Sequence, residues 1–246
     1  MKKATNIVWF DSIDSTNNQL FTDKKELPDK SVYAAVFQTA GRGQRGNSWN
    51  SSAGENLTFS ILFKPTQLSS NNQFIVSQVV TLGIINYLRT KGVEAKIKWP
   101  NDIYVGNLKI CGILIENTIS SDKLTHSVAG IGLNLNQNFF NTTAANPTSL
   151  TILTGEKYNI KEELDILLDN IFNYYDSLTV EKYDEIKKKY LENLYRIGEY
   201  HNFIEIADNK TINARIIGIN KAACIVLEHS DGLIRSYAFK ELKYII

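Results

Sequence analysis

The chain has 246 residues, 43% of them hydrophobic, and a formal net charge of +1. That is enough apolar material for a real core in one large domain or two. The charge balance offers no basic field for nucleic acid and no block long enough to be a charged tail. Cys111 and Cys224 lie far apart in no metal or redox spacing. Met1-Lys2-Lys3 is not followed by an apolar stretch, and no run approaches the ~20 apolar residues a membrane span needs, so a cytoplasmic protein without a signal peptide is predicted.

The first predicted strand, Ile7-Val8-Trp9-Phe10, runs into Asp11-Ser12-Ile13-Asp14-Ser15-Thr16-Asn17-Asn18. Ser15 or Thr16 can cap a helix through Leu20 and Phe21, and the same polar groups can serve a small ligand at that helix start. A second strand, Val32 to Phe37, ends at Gln38, which has the same double reading. Next comes Gly41-Arg42-Gly43-Gln44-Arg45-Gly46-Asn47-Ser48-Trp49, followed by a strand over Asn56 to Phe63. Glycines at i, i+2 and i+5 allow positive φ and let backbone N–H groups face an anion. The arginines supply fork-shaped donors for carboxylate or phosphate. This is neither a Walker A loop, since no Lys-Ser/Thr follows, nor a Rossmann turn, since a strand follows where a helix is needed.

Phe74, Ile75, Val79, Leu82, Ile85 and Leu88 recur at helical spacing and predict a core-packing helix over residues 71–90. Lys96-Ile97-Lys98-Trp99 then reaches Pro100, which turns the chain into a strand beginning at Ile103. Gly106-Asn107 closes a hairpin whose return, Leu108 to Glu116, carries Lys109 among apolar neighbours. Such a lysine either protects an exposed edge or points into a pocket. In the strand Ser127 to Asn134, Gly130 and Gly132 lie on one face and leave room against it. Thr148 to Leu153 reads as a helical turn, and Lys161 to Leu178 and Val180 to Tyr195 as amphipathic helices, with Lys187-Lys188-Lys189 a solvated face. Past Arg196 come short β-rich runs at residues 202–206, 213–219, 223–228 and 234–239, punctuated by turns as in a small barrel. His126, His201 and His229 have no ligand-like spacing.

These pieces together carry a resemblance. The glycine-arginine loop with Trp49, the Lys98-Trp99-Pro100-Asn101-Asp102 turn, Lys109-Ile110-Cys111-Gly112 and Gly130-Ile131-Gly132-Leu133-Asn134 stand in the order and spacing of the biotin protein ligases. Ser15-Thr16-Asn17 and Gln38 fall where that family has its ligand-binding residues, and the match runs from about Val8 to Asn134. The chain resembles the form without an N-terminal DNA-binding domain. The resemblance implies an α+β fold: a mixed sheet flanked by helices, class II synthetase-like, over residues 1–196, and an SH3-like barrel over 197–246. It implies that biotin and ATP, with Mg²⁺, form biotinyl-5'-AMP, and that a lysine of a biotin carboxyl carrier protein then takes the biotin. The carrier belongs to acetyl-CoA carboxylase or a related carboxylase; a homodimer is allowed, and neither DNA nor membrane is a partner.

By the same resemblance Lys109 and Arg42 are the catalytic cations. Ser15, Thr16, Asn17, Gln38, Gly41, Arg42, Gly112, Gly130 and Gly132 hold biotin, the last three by leaving space beside its bicyclic ring. Gly43, Gln44, Arg45, Trp49, Asn101, Lys109 and Asn134 serve ATP and the adenylate, with Trp49 as a cover and both asparagines near the adenine. Asp102 either binds the metal or orients the incoming amine. Gln44 departs from the family, many members of which have arginine there. Two alternatives stand beside this reading: a lipoate ligase or octanoyl transferase, and a non-enzymatic biotin-sensing regulator.

Overall fold

The computed structural model describes residues 6–140 and 146–246. The Met1-Lys2-Lys3 start and the side chain of Arg45 lie outside the described residues. Seven strands form one mixed sheet: β1 (Ile7–Ile13), β2 (Val32–Gln38), β3 (Leu57–Phe63), β4 (Lys96–Lys98), β5 (Asp102–Val105), β6 (Leu108–Ser120) and β7 (Lys123–Leu133). Their order is β1-β2-β3-β7-β6-β5-β4. Only β1 and β2 run parallel. Helix α1 (Thr16–Asp23) is their crossover and covers one face, where Leu20 packs with Tyr33, Leu62 and Val128. Helices α2 (Phe74–Thr90), α4 (Ile160–Asp176) and α5 (Tyr183–Glu192) enter the large core cluster with the other face, while α3 (Leu150–Thr154) is a short turn beside it. Gly83 lets α2 approach α4 closely, since a Cβ there would lie 2.6 Å from Ile171 Cα.

The alternation along β3 and β6 sorts their side chains. Phe59, Ile61, Cys111, Ile113 and Ile115 belong to the large core, so Thr58, Ser60, Gly112, Leu114 and Glu116 point to the opposite face. Gly112 is the register partner of Gly132, and Ser60 of Gly130. Three glycines on two adjacent strands therefore hollow out that face beside the start of α1.

The remaining strands, β8 (Tyr200–Glu205), β9 (Lys210–Ile219), β10 (Ile225–His229), β11 (Ile234–Tyr237) and β12 (Leu242–Tyr244), form an antiparallel sheet of order β11-β10-β9-β8-β12. This is the small C-terminal β domain expected from the turn-punctuated runs. It packs on the first sheet: the Trp99 indole donates to Ala223 O at 3.1 Å and meets the Phe239 ring edge-on. β12 was not foreseen, because three residues are too few for a periodic signal. The β6–β7 hairpin is longer than expected, continuing through polar residues to a turn where Ser121 takes φ 58°. Val180–Lys182 forms a separate 3₁₀ turn before α5.

Candidate active site

A pocket opens on the glycine-hollowed face. Its wall includes Ser15, Thr16, Asn17, Gln38, Arg42, Gly43, Gln44, Trp49, Asn101, Asp102, Lys109, Gly112, Gly130 and Gly132. The structure thus brings together most of the residues singled out in the sequence. Ser15 is both cap and wall: its hydroxyl accepts from Asn18 N at 3.4 Å while the residue borders the cavity. Gln38 Oε1 accepts from Thr16 N at 2.8 Å and from Thr16 Oγ1 at 3.1 Å, and Ser60 Oγ lies 2.9 Å from that hydroxyl. With its oxygen used there, Gln38 presents its NH₂ end as a donor. Asn17 does the reverse: Nδ2 donates to Glu116 Oε2 at 2.5 Å, and Oδ1 is buried without a protein partner.

Lys109 occupies an inner strand, not an edge. Beyond the end of β7 the segment at Pro147 takes over as its neighbour, with Lys109 N donating to Asn146 O at 2.8 Å. The edge reading is thereby overturned, and the ammonium reaches the pocket, 2.7 Å from Asp102 Oδ1. Lys98, to which the sequence reading gave no site role, is a second ammonium on this wall. Burial pushes its pKa below the ordinary lysine value, with Asp102 opposing that shift and Lys109 and Arg196 adding to it.

Several expectations change in detail. The glycine loop is a closed hairpin: Gly43 N donates to Asn47 O at 2.7 Å and Trp49 N to Gly41 O at 2.9 Å. Of its glycines only Gly46 has positive φ, at 86°. Gly41, which does not border the pocket, is needed because a Cβ would strike the Trp49 carbonyl. Gly112, Gly130 and Gly132 do make space, but the protein's own side chains use it in this conformation. A Cβ on Gly130 would lie 2.7 Å from Asn17 Oδ1, one on Gly112 would lie 2.8 Å from the Trp49 ring, and one on Gly132 would overlap that ring. The indole has turned inward, with its Nε1 buried and unpartnered.

The Arg42 fork is closed on Glu116, at 3.0 and 2.9 Å, with Asn18 Oδ1 at 2.5 Å, so its charge is already met by a carboxylate. Asn101 Nδ2 donates to Ile113 O at 2.5 Å, tying the turn to β6. Asn134 is not on the pocket wall: it is buried and donates to Thr148 O at 2.9 Å, fixing the start of α3. Glu116, Lys98, Ser60 and Phe239 are the participants that sequence reasoning missed. Glu116 shares a strand face with Gly112, and that parity is the signal that could have found it.

Comparison with known proteins agrees with this fold. The model for the "Biotin/lipoate A/B protein ligase family" matches residues 9–134. A relative, the bifunctional ligase/repressor BirA of Bacillus spizizenii, is 27% identical over 94% of this chain and 72% of its own length. The biotin–[acetyl-CoA-carboxylase] ligase of Paracoccus denitrificans is 27% identical over 76% of this chain and 80% of its own. Among solved structures, a biotin protein ligase from Aquifex aeolicus in complex with biotin and ATP superposes with a TM-score of 0.79. It is 26% identical and covers 98% of this chain and 99% of its own. The chain belongs to the biotin/lipoate A/B protein ligase family.

Proposed function

We propose that this protein is a biotin–protein ligase, joining biotin to AMP and then passing it to a lysine of a biotin carboxyl carrier protein. The observation that carries this reading is the donor–acceptor pattern on the pocket wall. Gln38 offers N–H and Asn17 offers a bare carbonyl oxygen, complementary to the C=O and N–H groups of biotin's ureido ring. On the same wall Lys109 and Lys98 supply cations. In the first step a biotin carboxylate oxygen attacks the α-phosphorus of ATP and the bond to pyrophosphate breaks. Charge spreads over the phosphoryl oxygens, and one fixed donor aimed at them typically contributes ~3 kcal/mol. In the second, the carrier amine attacks the acyl carbon and AMP leaves.

Mg²⁺ fits as the partner of the triphosphate, not as a resident ion. Among the described residues no three His, Cys, Asp or Glu side chains converge on a metal, and Asp102 is held by Lys109. Phosphate oxygens and water are the ligands this ion prefers. Once Lys109 turns to phosphate, Asp102 is left free to meet the amine of the carrier lysine in the second step. Two unpaired cysteines suit a cytoplasmic setting. The net charge of +1 provides none of the counterion-releasing field that duplex DNA rewards, so the proposal covers ligation alone. The test is incubation with ATP, Mg²⁺ and either biotin or lipoate, followed by mass spectrometry. Biotinyl-adenylate, and a mass gain on added carrier domain, are expected; lipoyl-adenylate alone would replace biotin by lipoate in this reading.

A further inference from the structure

Glu116 borders no part of the pocket wall, yet it grips two residues that do. Its Oε2 accepts from Asn17 Nδ2 at 2.5 Å and from Arg42 at 3.0 Å, and Oε1 accepts from Arg42 at 2.9 Å. A carboxylate has acceptors only. The Asn17 amide must therefore turn its NH₂ toward Glu116, and its oxygen is driven to the other side. That oxygen faces Gly130, where a Cβ would lie 2.7 Å away. Asn17 is only 4% exposed and its Oδ1 has no protein partner. Buried acceptors in folded proteins are nearly always paired, so this one points to a donor that arrives with the ligand.

We infer that Glu116 is a positioning residue for ligand recognition: by charge it fixes which end of the Asn17 amide faces the pocket, making Asn17 a reader of a ureido N–H. The inference rests on the biotin reading above and extends it to a residue behind the wall. Arg42 belongs to the same unit. Its fork fills the remaining carboxylate positions and ties the glycine loop to β6, so its role is to hold Glu116 and the loop base, and Lys109 remains the cation for phosphate.

Glu116→Gln tests this directly, because it keeps the shape but lets the facing amide donate or accept, so Asn17 is free to flip. In the whole chain, biotin affinity measured by calorimetry should fall on the order of 10- to 100-fold, as for a buried hydrogen bond lost to a ligand. The kcat at saturating biotin and the KM for ATP should stay within about threefold of wild type. A second probe is biotin methylated at either ureido nitrogen. Wild type should reject one methyl isomer on the order of 100-fold or more, and Glu116→Gln should reject it less strongly. Glu116→Ala, checked by thermal unfolding, should behave like Glu116→Gln; if it fails to fold, Glu116→Gln alone decides. Unchanged affinity in Glu116→Gln, or lost affinity with discrimination between the methyl isomers intact, overturns the positioning role while the biotin reading stands. A wild-type chain that activates lipoate but not biotin overturns both.

Discussion

Lys109→Ala removes the cation that sits 2.7 Å from Asp102 on the pocket wall. Losing one preorganised donor to developing phosphoryl charge costs about 10²- to 10³-fold in rate. The structure adds a second loss, because Asp102 is left without its partner and faces the incoming triphosphate. A phosphate oxygen seated on Lys109 at ordinary hydrogen-bond distance would lie about 5 Å from that carboxylate. At an effective dielectric constant of ~20 two like charges so placed repel by about 3 kcal/mol. The two side chains are 24% and 19% exposed, so solvent screening reduces this to about 1–2 kcal/mol, roughly tenfold. Adenylate formation in Lys109→Ala should therefore drop about 10³- to 10⁴-fold, and Lys109→Ala/Asp102→Asn should regain about tenfold of it. The assay is single-turnover formation of biotinyl-adenylate with enzyme in excess over ATP, with circular dichroism to show that each variant is folded. A wild-type rate in Lys109→Ala would remove this lysine from the chemistry. A double variant no faster than the single one would refute the repulsion argument and leave the cation's role standing.

Gly132→Ala places a methyl group where the Trp49 indole now sits, so the ring must leave. A red-shifted tryptophan emission, absent in a Trp49→Phe background, and a stability loss of about 1–3 kcal/mol are expected, and an unshifted spectrum would show that the ring does not pack there. Lys98 binds phosphate best when charged, and its lowered pKa means that it loses its proton at a lower pH than an ordinary lysine. For stability the sign is the opposite. A lysine whose folded pKa lies below its unfolded value carries a burial cost that is full at low pH and relieved as pH rises from the folded pKa toward 10.5. The KM for ATP should thus climb on the alkaline side before pH 10.5 is reached, and Lys98→Arg should flatten the climb; identical profiles would exclude Lys98 from the nucleotide. Gln44 borders the pocket without charge, and charge-assisted bonds are about twice as strong as neutral ones. Gln44→Arg should slow adenylate release several-fold in a stopped-flow chase, and an unchanged off-rate means that position 44 does not touch the intermediate.

Much of the architecture was legible because it is written locally. The 3.6-residue spacing of Ile75, Val79, Leu82 and Leu88 marked α2, and every one of those residues is buried. Alternation and turn chemistry marked β2, β3, β5 and β6. The pocket was legible through its motifs, which put Ser15, Thr16, Asn17, Gln38, Lys109 and the strand glycines on one list, and the sheet gathers them around one cavity. The missed contacts are long-range. Glu116 pairs with Asn17 across 99 positions and with Arg42 across 74. The parity of Glu116 with Gly112 marks its face on β6, but nothing local says what it will hold. Lys98 was hidden for a similar reason: its altered proton affinity comes from burial beside Asp102, Lys109 and Arg196, and all three lie outside β4.

The three strand glycines show where such reading stops. Their parity correctly announced that something must approach the sheet face, and register pairing of Gly112 with Gly132 makes one continuous hollow. A missing Cβ says only that space is needed, not what fills it. In this conformation the occupants are the Asn17 amide over Gly130 and the Trp49 indole over Gly112 and Gly132. Asn17 is held there by a carboxylate and cannot leave cheaply, so its oxygen is a fixed part of the recognition surface. The Trp49 indole is held by packing and by the Lys109 ammonium 5.6 Å from its ring centre; its own N–H is unpartnered and has a polar bond to gain by leaving. A ligand entering this pocket therefore meets one rigid wall and one displaceable wall. We propose that the displaced indole closes over what has taken its place, the covering role that the family resemblance implies for Trp49.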